Sequence, residues 1–383
     1  MKRNIFTLIF LSGTYVMMAQ SFHNNGAIVS LSSQTVLTVP DSLVNKGTII
    51  NNGSLGISGA WVNLGTYDAG SGQINFNSNL SQTINHSDQA FSKLVISGTG
   101  VKTFSANITI ESELDLQSSV LKSANGARII LDKNAVIKGG SDQSHIVGSV
   151  EAKGAGNWVF PIGNGTTYFP VEVTNVTNAN ALATLTLHEL SNGQVLTADN
   201  ALTQISSKRY WELIFTAGSL DQSKITLPLV AEDGLATNLD DVVVAESNSI
   251  TDAFVSRGNS GTSGSLTSGS VTSESGLTSR FYAAAAIRGD HAIEIFNAVS
   301  AGNDGQNDFF RIENIEFYPN NHVAIFNRWG DKVFEINGYD NGSKSFNGTA
   351  NMGGNNKLSP GTFFYSIELG DGSKKRTGYL VLK

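Results

Sequence analysis

Gly47-Thr-Ile-Ile-Asn-Asn-Gly-Ser-Leu-Gly-Ile-Ser-Gly (47–59) sets two short apolar runs, Gly47-Thr-Ile-Ile and Leu55-Gly-Ile, on either side of an Asn-Gly turn. The same texture recurs in Ala27-Ile-Val, Val36-Leu-Thr-Val, Ile74-Asn-Phe and Leu94-Val-Ile. It continues in Ile108-Thr-Ile, Leu114-Asp-Leu, Ile129-Ile-Leu and Val136-Ile. Each run is a few residues long and is followed by about one rung of turn and loop. That period predicts a parallel β-helix or related solenoid over residues 20–147, in which each coil stacks its inward Ile, Val or Leu on the next. Similar strands and turns also build an ordinary β-sandwich, which is the alternative. Asn45, Asn51, Asn52 and Asn63 flank these runs, either as amides stacked along the solenoid or as simple turn residues. Trp61 and Tyr67 serve the core or, if exposed, stack on sugar rings.

Residues 148–288 change in texture. Asn157-Trp-Val-Phe-Pro-Ile-Gly-Asn-Gly, Tyr168-Phe-Pro-Val-Glu-Val, Ala183-Thr-Leu-Thr-Leu and Tyr210-Trp-Glu-Leu-Ile-Phe lead a set of about seven longer strands. Their wider spacing predicts a β-sandwich of immunoglobulin-like size. The Gly/Ser/Thr-rich stretch 258–270 reads as an exposed flexible loop.

Residues 289–383 form a third region, bringing the chain to about the three domains its 383 residues predict. Val323-Ala-Ile-Phe and Lys332-Val-Phe flank Arg328-Trp-Gly-Asp, which predicts a hairpin with Gly330 at positive φ. Pro360-Gly361 suits a type II turn. The segments 362–369 and 377–382 form a second hairpin whose last strand closes the sheet. Asn303-Asp-Gly-Gln-Asn-Asp is dense in side-chain oxygens; Asp304, Asn307 and Asp308 are candidates for a Ca²⁺ ion, against an Asx-type turn that satisfies its own backbone.

Composition agrees with an all-β protein working outside the cell: 40 glycines, 15% charged residues and no cysteine. The absence of thiols removes a disulfide framework and a lipidated cysteine. A net charge of −7 without basic runs argues against nucleic acid and anionic membranes as partners. Met1-Lys-Arg, an apolar core over 5–11 and Met18-Ala-Gln predict a signal peptide over 1–19 cleaved after Ala19. No other stretch approaches the length of a spanning helix.

No catalytic constellation emerges. The six histidines are scattered without a His-x-x-x-His pair. Ser260 and Ser263 complete no Gly-x-Ser-x-Gly elbow. Glu111, Glu113 and Asp115 share a strand face by the two-residue period and form either an acidic patch or a solvated face. Asp240-Asp241 reads as a turn before Val242. No catalytic residue and no nucleotide cofactor is implied.

The combination of 293–310, Asn327-Arg-Trp-Gly and Pro360-Gly-Thr-Phe-Phe-Tyr resembles the gliding motility-associated C-terminal domain. This is the type B sorting domain by which Bacteroidetes proteins are recognised by the type IX secretion system. The resemblance implies a small immunoglobulin-like β-sandwich, with Asn327, Arg328, Trp329, Gly330, Pro360 and Gly361 as recognition residues. It further implies the secretion translocon and an SprF-like outer-membrane protein as partners, and location in the medium or on the cell surface. Two motifs depart from the family: Val299-Ser-Ala-Gly-Asn-Asp-Gly replaces Phe-Ser-Pro-Asn-Gly-Asp-Gly, and Phe346-Asn-Gly replaces Trp-Asp-Gly. The phrase Phe160-Pro-Ile-Gly-Asn-Gly is similar to one that follows solenoid-like segments in secreted Bacteroidetes proteins. The body then reads as non-catalytic and adhesive or structural, contacting a glycan or surface matrix. The alternatives are a β-helical polysaccharide lyase or hydrolase, and an accessory component of the surface or gliding apparatus.

Overall fold

The computed structural model describes residues 21–191, 193–235, 238–287, 293–300, 302, 305, 307–318, 320–354, 356–370 and 374–383. The expected signal peptide and Ala19 lie outside them. The chain divides into two compact units, with the division after residue 288. The fold is almost entirely β, with only three short 3-10 turns among the described residues.

The first unit begins as a solenoid of seven coils. One wall is a parallel sheet running from Phe22–Asn24 through Leu43–Asn45, Trp61–Asn63, Gln82–Asn85, Lys102–Phe104 and Leu121–Ser123 to Ile146–Val147. A second parallel wall starts at Val36–Val39 and reaches Arg128–Leu131 and Ser149–Lys153. A third wall, Ile28–Leu31, Thr48–Asn51 and Thr66–Asp68, exists only in the first three coils. Because strand side chains alternate, one residue in two from each wall points inward. Leu43, Ile49, Leu55, Ile57, Ile74, Phe76, Ile84, Leu94 and Ile110 are all fully buried. Each such burial contributes roughly 1.5–3 kcal/mol.

Polar columns and close backbone approach hold the corners. Asn24 Nδ2 donates to Asn45 Oδ1 at 2.8 Å, and Asn45 Nδ2 donates to Asn63 Oδ1 at 2.7 Å. Of the four flanking amides, Asn45 and Asn63 therefore stack along the coils. Asn51 instead donates to the Tyr67 hydroxyl, and Asn52 accepts the Ser71 N–H. At the neighbouring corner the coils approach so closely that a Cβ on Gly65 would stand 2.1 Å from the Gly47 carbonyl oxygen. Only glycine fits there.

Trp61 and Tyr67 belong to the core, edge to face at 5.5 Å, so the sugar-stacking use is removed. The Trp61 indole donates to His86 Nδ1 at 3.1 Å, while His86 Nε2 donates to the Ala90 carbonyl and the imidazole stacks on Phe91 at 3.7 Å. Burial lowers the His86 pKa to about 4 and pushes the Tyr67 phenol up to about 12. One coil further on, Lys102 is buried with its ammonium donating to the Ser78 and Gly100 carbonyls, and burial lowers its pKa to about 8.

At its far end the solenoid is closed by the segment around Phe160-Pro-Ile-Gly. Ile162 bridges Ile146 in parallel, Phe160 and Phe169 are buried, and His145 Nε2 accepts the Gly165 N–H. Ser149–Lys153 then pairs in parallel with Arg128–Leu131 and antiparallel with Leu182–Glu189. The solenoid wall thus continues without a break into Arg209–Ala217, Phe281–Ile287 and Val242–Ser247, making one 14-stranded sheet. A five-stranded sheet, including Val171–Val176 and Lys224–Val230, packs on it as the second layer of a sandwich. The solenoid and sandwich share a single core. The run Tyr282-Ala-Ala-Ala-Ala is buried on both faces, because Ala284 meets this core while Ala283 and Ala285 meet a second cluster with Leu196, Leu202 and Phe254.

The Gly/Ser/Thr-rich stretch is not a free loop. Gly261–Ser265 and Ser268–Thr272 form a hairpin at the edge of the second sheet, with Ser263 and Ser270 hydroxyls 2.9 Å apart and Val271 buried. Small hydroxyl side chains satisfy one another across the strands, and one buried valine anchors the hairpin.

The second unit is a small β-sandwich-like domain. Its five-stranded sheet runs in the order Ala298–Val299, Arg376–Leu382, Gly361–Glu368, His322–Phe326, Lys332–Asn337. The expected hairpins are present. The last strand does not close the sheet, since Ala298–Val299 pairs in parallel on its outer edge. Gly361 does not take the positive φ of a type II turn; pairing with Leu382 holds it in extended backbone. Phe346 is buried against Phe334, and the Tyr339 hydroxyl donates to the Phe310 carbonyl while accepting the Phe346 N–H.

Candidate functional site

The turn 327–331 is built around one side chain. Asn327 Oδ1 accepts the N–H groups of Trp329 at 2.9 Å and Asp331 at 3.0 Å, and its Nδ2 donates to the Asp331 carboxylate at 3.0 Å. The Asn327 N–H donates to the Asp331 carbonyl, and its own carbonyl accepts the Gly330 N–H. Gly330 supplies φ +86°, the left-handed value that closes such a turn. The result is a rigid tip from which Trp329 projects, 81% exposed, with the Arg328 guanidinium 5.9 Å from its ring centre.

The adjoining sheet face carries more aromatic surface. The alternation along Gly361–Glu368 buries Phe363, Tyr365 and Ile367 and turns Phe364 outward. Phe364 pairs across the sheet with Phe326 on one side and Tyr379 on the other. Phe364 is 48% and Tyr379 54% exposed, and the row borders a shallow depression of about 430 Å³ that includes Ser366 and Thr377. On the same face the Glu335 carboxylate contacts His322 and pairs with Lys332, and Glu368 pairs with Lys375. Hydrogen bonds from Lys332 and His322 hold the Glu335 carboxyl below its usual range, and Lys375 does the same for Glu368. Charged side chains therefore border the aromatic row, with Lys332 directly across from Phe326.

The structure brings together the two segments expected to serve recognition, since a Cβ on Gly361 would stand 4.0 Å from the Arg328 guanidinium. Pro360 is exposed beside it. Sequence reasoning named Trp329 but passed over Phe364 and Tyr379. The available signal was the two-residue period, which cannot bury all of Phe363-Phe364-Tyr365 on one face.

Asp304 lies outside the described residues. Asn307 sits at φ 55° with its carbonyl accepting the Ser300 N–H, and the Asp308 carboxylate accepts the N–H of Gly305, three residues earlier, at 2.9 Å. Among the described residues no group of three His, Asp or Glu is placed to hold a metal ion. Glu113 is ion-paired with Lys138 at 2.7 Å, Asp115 accepts from Gln117, and Glu111 is exposed, so these carboxylates line an outward strand face. Asp240 and Asp241 occupy the 3-10 turn Leu239–Asp241. No helix among the described residues is long and apolar enough to cross a membrane.

Residues 293–382 match the family described as the CHU_C Type IX secretion signal domain. No curated protein and no solved structure matches the chain. A domain of this kind implies export through the type IX secretion system, contact with its machinery, and a surface or secreted destination.

Proposed function

We propose that the chain is a non-catalytic cargo of the type IX system whose second unit is read by the export machinery through the Trp329 tip and the Phe326, Phe364, Tyr379 row. The observation that carries this reading is the exposure of Trp329 on a turn fixed by Asn327, inside the segment that matches the secretion signal domain. A large aromatic side chain left in water on a pre-ordered backbone is the form a recognition anchor takes, because little conformational entropy remains to be lost on binding. The partner for this surface is the translocon, with an SprF-like outer-membrane barrel as its receptor. The solenoid and sandwich are the delivered body, adhesive or structural in role.

Fractionation and surface protease access in a host with the type IX system test the reading. Deleting 289–383 should hold the protein inside the cell, and the Trp329→Ala, Phe364→Ser, Tyr379→Ser triple variant should do the same with the domain still folded. Export of the triple variant at the wild-type level would remove these aromatics from recognition. Export of the deletion as well would remove the domain.

A further inference from the structure

The outer face of the long sheet, where the solenoid becomes the sandwich, holds a second surface unrelated to export. A depression of about 650 Å³ lies across Arg128–Leu131, Ser149–Lys153, Leu182–Glu189 and Arg209–Ala217. Its charges cancel in pairs. Arg128 Nε lies 3.0 Å from Glu151 Oε2, and Glu212 accepts from Arg280 Nε at 2.7 Å and from His188 Nε2 at 2.9 Å. Between the two pairs runs a strip of hydroxyls: Ser149 and Thr186 lie 2.8 Å apart, and Thr184 Oγ1 donates to Glu151. Leu182 and Ile214 add apolar surface to the same floor.

We infer that this depression binds a neutral oligosaccharide. Arg128 in the lining offsets Glu151, and Arg280 just outside it offsets Glu212, so a polyanion or a basic peptide finds nothing uncompensated to pair with. What the floor offers is donors and acceptors already held in place, beside the apolar side chains of Leu182 and Ile214. That arrangement complements a pyranose, whose hydroxyl edges alternate with apolar C–H faces. The volume falls in the usual range for small-ligand sites. The inference rests on the reading of the body as a binding scaffold and gives that scaffold a ligand class and an address.

The experiment is calorimetric titration of the full chain with neutral gluco-, xylo-, manno- and galacto-oligosaccharides at millimolar concentration, beside uronate oligosaccharides and a basic peptide. Thr186→Val and Glu212→Gln variants follow, with melting temperature as the control for folding. The expected result is binding of at least one neutral oligosaccharide that changes little with salt. Removing the Thr186 hydroxyl should weaken it about five- to tenfold, the scale of one lost hydrogen bond, and Glu212→Gln should weaken it more. Overturning results are no heat with any neutral oligosaccharide, equal binding by folded variants, or a preference for uronates or peptide that collapses in salt. Normal export of a variant that has lost binding separates this inference from the sorting reading.

Discussion

The Trp61 indole N–H and the His86 Nδ1 lone pair meet across 3.1 Å inside the solenoid, a bond that exists only while the imidazole is neutral. Protonating His86 removes the acceptor and places a charge against Phe91, whose ring lies parallel at 3.7 Å.

Stability of the first unit should therefore depend on pH through this residue. The unfolded chain protonates His86 near pH 6.5 and the native state only near 4. Between these values the unfolded state binds more protons, so the contribution is complete above about pH 6.5 and is lost as pH falls towards 4. The loss is about 3 kcal/mol at most. Denaturant melts of wild type and His86→Phe from pH 7 to 4 check this. The variant should be less stable at pH 7 and show a flatter profile.

Lys102 gives the opposite result from an ordinary buried hydrogen-bond donor. Both carbonyls it contacts keep a second donor, Gly100 N–H on Ser78 and Ser119 Oγ on Gly100. Lys102→Met thus leaves no orphaned oxygen and removes a charge from the interior. It should stabilise the protein at pH 7 by roughly 1–3 kcal/mol, as replacement of buried charges by apolar groups often does. A lower denaturation midpoint for the variant would contradict this.

Gly65→Ala should cost about 1–3 kcal/mol, the usual scale of overpacking, because the new methyl meets a backbone oxygen and not a movable side chain. Gly126→Ala has open space around its Cβ but sits at φ +72°, so it should cost about 1 kcal/mol from the backbone alone. Comparing the two melts separates steric contact from dihedral strain.

Trp329→Ala should leave the melting transition of the second unit within about 0.5 kcal/mol, since little of its ring is buried. Phe346→Ala in the same unit should cost about 3–5 kcal/mol. If the tryptophan change proves as costly as the phenylalanine change, the ring packs on the domain in solution.

Much of this was legible in the sequence, and the reason is locality. Ile49, Leu55 and Ile57 reveal a coil because each inward residue lies a few positions from the next, and Asn327-Arg-Trp-Gly reveals a hairpin for the same reason. What escaped depended on distant partners. Nothing near Val150 announces that it will face Leu185 across an antiparallel step, so the continuity of solenoid and sandwich was invisible. Pro360-Gly361 looked like a turn until Leu382 claimed Gly361 for a strand. The serine-rich hairpin had too little apolar content to register as strands. The binding depression draws on Arg128, Glu151, Thr186 and Glu212, which no local spacing connects.

The Asn24, Asn45, Asn63 column makes the body adjustable in height. Asn45, the middle amide, receives from the coil before and gives to the coil after, so a duplicated coil with Asn at the same corner arrives with both partners waiting. Seven parallel strands at the spacing of a sheet put roughly 29 Å between the first and the last, and each insertion would add about 4.8 Å. Insertion of whole rungs would lengthen the solenoid while the closing segment around Phe160-Pro-Ile-Gly stays as it is.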